Sequence, residues 1–242
     1  MLQAMILESA RAMGIEMTGA QADAFARYHE MLVEANAKFN LTRVPDELRE
    51  AVDRNYLDCI APLAHNFPEG VRTLVDVGSG AGFPGIPLSI MLPDVHVVLV
   101  DALDKRVKFL QSVIDELHLN AEAVHARAED AGKRADLREQ FDIATARAVA
   151  AANLLAEYLL PFVRVGGHML ALKGPSLDDE LAEAAFAFET LGGRVVRTEN
   201  IEIPGRDWSH RVAYIEKVAP TPAKYPRKAG TPEKKPLIAA KK

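Results

Sequence analysis

The sequence predicts an α/β protein: a doubly wound, mostly parallel sheet preceded by a helical extension. Three observations carry that prediction. From Val71 onward, short apolar runs alternate with stretches of helical periodicity. A glycine-rich loop, "VDVGSGAGFPGIPL" at residues 75–88, directly follows the first apolar run. Residues 1–65 carry helical periodicity and no run that reads as a buried strand.

Taken in order, "QADAFARYHEMLVEANAKF" places Phe25, Tyr28, Leu32 and Phe39 on one helical face. "NLT" at residues 40–42 and Pro45 interrupt it. A second helical run, "DELREAVDRNYLDCIAPLAHNF", extends to Pro68 and Gly70. "TLVDVG" and "VHVVLVD" are runs of the kind buried on both faces of a parallel sheet. Between Lys105 and Leu119, Val107, Phe109, Leu110, Val113, Ile114 and Leu117 form a helical stripe. "AEAVHA" and "FDIATAR" are expected as the third and fourth strands. "AANLLAEYLLPFV" is expected as a helix ended by Gly166 and Gly167, and "HMLALKG" as the fifth strand. "SLDDELAEAAFAFETLG" has a capping serine, acids in its first turn and a closing glycine. "RVVRTENIEIP" and "RVAYIEKV" close the domain as an antiparallel pair. The expected organisation is a helical extension (1–70), a main α/β domain (71–219) and a basic tail (220–242).

Composition bounds the function. Apolar residues make up 49% of the 242, enough for a sizeable core, and no apolar run reaches the length of a membrane helix. The N-terminus lacks the pattern of a signal peptide. The single cysteine, Cys59, cannot form an intrachain disulfide, which points to a reducing cytoplasm. Nothing demands more than a monomer. The net charge of −5 is unevenly spread: residues 217–242 hold eight basic residues and one acid, leaving −12 on the rest. A basic tail on an acidic body suits a polyanionic partner; a solvated, disordered terminus is the plain alternative.

The loop glycines are Gly78, Gly80, Gly82 and Gly85. A dinucleotide fingerprint needs glycine at position 83, which is Phe83, and no G-K-[ST] follows, so a P-loop is excluded. Asp101 ends the second apolar run, where an acid accepts hydrogen bonds from ribose hydroxyls; this suits both NAD and S-adenosylmethionine. Asp76, just before the first glycine, would repel pyrophosphate and suits a ligand bearing an ammonium and a sulfonium.

"VDVGSGAGFPGIPLSI", "KRVKFL", "ARAEDA", "ARAVA", "LKG" and "YPRKAGTPEKKPL", with "KFNLT" and "YLDC" before them, resemble the RsmG (GidB) family of bacterial small-subunit rRNA methyltransferases. The resemblance spans about residues 40–237. It implies a Rossmann-like class I methyltransferase with a seven-stranded sheet, and methyl transfer from S-adenosylmethionine to N7 of one guanine of 16S rRNA. It places cofactor contacts on Gly78, Phe83, Ala128, Glu129 and Arg147. The residues themselves add Asp76, Gly80, Gly82 and Asp101. The family often shows R-H-x-x-D-S where this chain has "RNYLDC", so Asn55 and Cys59 depart from the pattern while Arg54 and Asp58 keep it.

N7 of guanine has a lone pair and no proton, so its methylation needs alignment and no general base. Arginine or lysine is the usual donor to the adjacent O6 edge. Arg147 and Lys173 are the catalytic candidates, with Arg211 as a further donor to the base. Arg54, Lys173, Arg211, Lys224, Arg227, Lys228, Lys234 and Lys235 are candidates for RNA, either the 16S rRNA or the 30S particle. Tyr225 is a candidate for stacking on a base. No metal site is expected. The rival readings are a small-molecule or protein methyltransferase, an NAD-dependent oxidoreductase, and a non-enzymatic RNA-binding factor. Phe83 and the missing catalytic pattern oppose the oxidoreductase.

Overall fold

The structure is a computed structural model that describes residues 1–39, 41–42, 44–64, 66–147, 150–208 and 210–239. Asn40 of "KFNLT", Ala148 and Val149 of "ARAVA", and Lys241 and Lys242 of the tail lie outside the described residues.

Seven strands form one sheet in the order β3-β2-β1-β4-β5-β7-β6. They are β1 (Thr73–Val77), β2 (His96–Asp101), β3 (Ala121–His125), β4 (Phe141–Arg147), β5 (Val163–Lys173), β6 (Gly193–Ile201) and β7 (His210–Lys217). The first five are parallel; β7 runs antiparallel to both β5 and β6. The chain reverses direction across the sheet between β1 and β4. Such a switch point opens a crevice beyond the carboxyl ends of the strands, and the candidate residues lie there.

Alternate side chains of each strand feed two cores, as the pleat requires. Leu74, Leu99, Ile143 and Leu170 face one side, against α1 (Leu2–Ala12), α2 (Gly19–Lys38), α5 (Gly85–Met91) and α6 (Asp104–Leu117). Val75, Val98, Ala144 and Met169 face the other, against α8 (Ala152–Leu159) and α9 (Leu177–Leu191). The N-terminal helices therefore share one continuous core with a face of the sheet. Phe25, Tyr28 and Leu32, on the stripe read from the sequence, are fully buried in it.

Three expectations need correction. The second N-terminal run is not one helix. It is α3 (Leu48–Ala51), a wider π-helical stretch (Val52–Leu57), α4 (Asp58–Ile60) and a tight 3-10 turn (Ala61–Ala64). The helix before β5 does not reach Gly166: α8 ends at Leu159, ahead of Pro161, and β5 already runs through both glycines. Gly167 sits where a Cβ would fall 2.6 Å from the Asp142 carbonyl oxygen, so it permits a close strand approach at the register shift opposite Phe141 and Ile143, while Gly166 supplies a φ of 85°. The C-terminal tail is also not a loose arm. Residues 220–239 fold onto the α8 side, with Thr221, Tyr225, Pro226, Pro232 and Leu237 buried and a short α10 (Thr231–Lys234).

Candidate cofactor crevice and adjoining basic cleft

The glycine loop is fixed largely from within. The Gly78 and Ser79 amides donate to the Val100 carbonyl at 2.8 and 3.1 Å, and the Gly82 amide donates to the Ser79 carbonyl at 2.7 Å. The Tyr28 hydroxyl, from α2, donates to the Ala81 carbonyl at 2.6 Å. Gly78, Gly80 and Gly82 have φ of 77°, 61° and 108°, a region that L side chains rarely adopt. A Cβ on Gly82 would fall 2.6 Å from Ile86 Cγ1, so its small size answers a packing need whether or not it touches a ligand. A Cβ on Gly80 would meet only the Gly78 carbonyl oxygen, at 3.9 Å.

Two carboxylates hold this loop. Asp101 Oδ2 accepts from the Gly80 amide and Oδ1 from the Leu103 amide, both at 2.9 Å. Asp76 is fully buried and accepts from the Gly85 amide at 2.9 Å through Oδ2, while its Oδ1 has no partner. Burial pushes the Asp76 carboxyl up to about 7. An orphaned buried carboxylate oxygen is costly, and a cationic or hydrogen-bond-donating ligand would relieve it.

Beyond β1, β2 and β3 lies a cavity of about 160 Å³, lined by Gly78, Asp101, Ala128, Glu129, Tyr158 and Glu233, among others. Glu129 stands on α7 (Ala128–Ala131), is buried, and accepts from the Gly230 amide at 2.8 Å. Burial, then the Glu129, Glu233 and Glu157 charges, push the Tyr158 hydroxyl up to about 12. The crevice is acidic and suits a ligand with cationic or donor groups better than one with phosphates. The residues present therefore fit S-adenosylmethionine, the cofactor expected from the sequence.

A second cleft, of about 380 Å³, lies at the ends of β4 and β5, the strands that follow β1 across the sheet. Arg54, Asp58, Arg147, Lys173 and His210 line it, together with Asn55. Arg147 stacks over the Phe83 ring with its guanidinium carbon 4.7 Å from the centroid. It donates to the Arg54 carbonyl at 2.5 Å, a backbone oxygen in the π-helical stretch, and lies 3.5 Å from Asp58 Oδ2. Asp58 Oδ1 accepts from His210 Nδ1 at 2.7 Å, and this hydrogen bond raises the His210 pKa above its ordinary value. Lys173 donates to the Ala150 carbonyl and, at 2.7 Å, to Glu180 of α9.

The sequence-predicted residues thus divide. Gly78, Asp101, Ala128 and Glu129 meet at one crevice, and Arg54, Arg147 and Lys173 at the next, with Phe83 against Arg147. Arg211 instead pairs with Asp178 at 2.8 Å and Thr198 at 3.1 Å. The Arg227 guanidinium grips buried Glu157 at 2.5 Å, and Lys217 is buried against Glu139 and Thr221. Tyr225 is buried in the core beside α8. Of the described tail cations, Lys224, Lys228, Lys234 and Lys235 are exposed. Cys59 is buried, and its thiol is pushed up to about 12.

His210, Tyr158 and Trp208 were not singled out from the sequence. Trp208 carries the Arg54 guanidinium at 4.4 Å and that of Arg206 at 5.2 Å from its ring centroid. The "DWSH" between two strand runs was the available signal. Among the described residues no group of His, Cys, Asp and Glu could hold a metal ion, and no helix is long and apolar enough to cross a membrane.

Residues 21–208 match the family described as rRNA small subunit methyltransferase G. The chain is 47% identical to the ribosomal RNA small subunit methyltransferase G of Lactobacillus johnsonii, over 93% of this chain and 95% of that relative. It is 42% identical to the protein of the same name from Alkaliphilus oremlandii, over 98% and 99%. A solved structure of a SAM dependent methyltransferase from Aquifex aeolicus superposes with a TM-score of 0.51 at 18% identity, covering 69% of this chain and 96% of that one. That likeness concerns the fold.

Proposed function

The chain belongs to the rRNA small subunit methyltransferase G family, and on that premise we propose that it moves a methyl group from S-adenosylmethionine to N7 of one guanine of 16S rRNA, in the cytoplasm. In this reading residues 1–70 and 220–239 flank a transfer unit at 71–219. The observation that carries it is the pair of clefts at the carboxyl ends of neighbouring strands: an acidic crevice beside the glycine loop after β1, and a cleft after β4 and β5 lined by Arg54, Arg147 and Lys173.

The cofactor, when bound, supplies a methyl group on a sulfonium that is already a good leaving group. The chain's own residues then have the work of placement. Gly78, Gly80 and Asp101 hold the ribose side, Ala128 and Glu129 the adenine side, and Asp76 the end bearing the ammonium. Phe83 keeps Arg147 flat and aimed into the second cleft. Arg147 and Lys173 donate to the O6 edge of the guanine, which leaves the N7 lone pair free. Such orientation is worth roughly 7–11 kcal/mol of barrier in well-aligned pairs. No proton leaves N7, so no base is required. Lys224, Lys228, Lys234 and Lys235 face the RNA backbone, and Trp208 with Arg54 offers a stacking platform.

The test is transfer of labelled methyl from S-adenosylmethionine to 30S particles and naked 16S rRNA from cells lacking this modification, followed by base analysis. Label recovered as 7-methylguanine is the expected result. A protein that binds the cofactor yet leaves both RNAs unlabelled would overturn the substrate assignment.

A further inference from the structure

We infer that the C-terminal segment at residues 228–235 is a wall of the adenosine subsite and holds the cofactor in place, beyond whatever it offers to RNA. The inference rests on the cofactor reading above.

The segment is placed there by buried polar anchors. The Arg138 guanidinium donates to the Gly132 carbonyl at 3.0 Å, to Tyr225 O at 2.8 Å and to Thr221 O at 2.7 Å. It thereby ties the end of α7 to the tail. A Cβ on Gly132 would fall 3.2 Å from Pro226 Cγ, so the missing side chain lets the tail lie directly on α7. Buried Glu157 takes both the Arg227 amide, at 2.8 Å, and its guanidinium. The chain leaving this clamp turns at Gly230, φ 77°, and continues as α10, with Gly230 and Glu233 lining the crevice.

What the segment does there follows from its contacts. The Gly230 amide donates to Glu129, the acid assigned to the adenine side. Glu233 lines the crevice together with Gly78 and Asp101. The tail thus orients the recognising carboxylate and closes the side of the crevice that the sheet leaves open. The crevice, about 160 Å³ and open to solvent, is smaller than the roughly 300–1,000 Å³ of sites that engulf a whole small ligand, so it takes one end of the cofactor. The segment packs against that end.

The experiment compares the full chain with a variant ending at residue 229, which keeps the Arg138 and Arg227 anchors. S-adenosylhomocysteine and 5′-methylthioadenosine are titrated into each by calorimetry. Truncation is expected to weaken both at least tenfold, because both carry the adenosine the wall contacts. Equal or tighter binding by the truncated chain overturns the inference. A full chain that binds neither overturns the cofactor reading beneath it. If the variant fails to fold, hydrogen exchange on the full chain decides. Amides of residues 229–235 should exchange at least fivefold more slowly with S-adenosylhomocysteine bound, and unchanged rates overturn the inference.

Discussion

Replacing Asp76 with asparagine separates the cost of this buried carboxylate from its use. Its carboxyl is pushed up to about 7 in the folded chain, by burial above all, against about 3.9 in an unfolded one. Between those values the folded state binds more protons than the unfolded state. Stability therefore falls as pH rises through that window and is flat above it. The span of about 3 units is worth about 4 kcal/mol at pH 8, and about 1.5 kcal/mol at pH 5. Asparagine keeps an oxygen for the Gly85 amide but sets an unpartnered NH₂ where Oδ1 now stands, at a cost of about 1–3 kcal/mol at every pH. The stability difference between variant and wild type should therefore shift toward the variant by about 3 kcal/mol between pH 5 and pH 8. That corresponds to about 6–12 °C in Tm for a chain of this size. Urea unfolding of both proteins at pH 5, 6, 7 and 8 measures it. The same variant should bind S-adenosylmethionine more weakly, since the ammonium loses its counter-charge. A stability difference that does not change with pH would refute the reasoning.

Three further outcomes follow from the geometry. Lys173→Ala should lower methyl transfer at least tenfold with less than twofold change in cofactor affinity; equal losses in both would remove Lys173 from the substrate side. The Asp58 hydrogen bond raises the His210 pKa, so the stabilisation it adds is full below the unfolded value and fades as pH rises through the folded one. Asp58→Asn should move the imidazole midpoint downward in an NMR titration, and an unmoved midpoint would deny the contact. Changing Lys224, Lys228, Lys234 and Lys235 together to glutamine should flatten the salt dependence of RNA binding by up to about 3 in log–log slope. Cofactor affinity should hold in that variant, because the backbone wall over the crevice remains.

Legibility followed the range of the interactions. Strands buried on both faces, such as "VHVVLVD", and the helix that closes at Gly192 need only local pattern and were readable, although Ser176 bonds Glu180 and makes no side-chain cap. So was the meeting of Gly78 with Asp101, because the loop and the strand-end acid lie at a fixed offset from one another. The end of α8 was misread because glycine suggests a stop, whereas Gly167 serves a strand approach decided by Asp142, more than twenty residues away in sequence. The tail was misread for a similar reason. Its charge is visible, but the buried Glu157 and the Arg138 clamp that neutralise and seat it come from distant segments. His210 gains meaning only through Asp58, 152 residues before it.

The account is tested most directly by mapping 7-methylguanosine along 16S rRNA by borohydride–aniline cleavage after reaction with the wild-type chain and with Arg147→Ala. The account predicts one cleavage site, present with the wild type and lost or reduced at least tenfold with the variant. No cleavage with the wild type, or equal cleavage with both proteins, would contradict it.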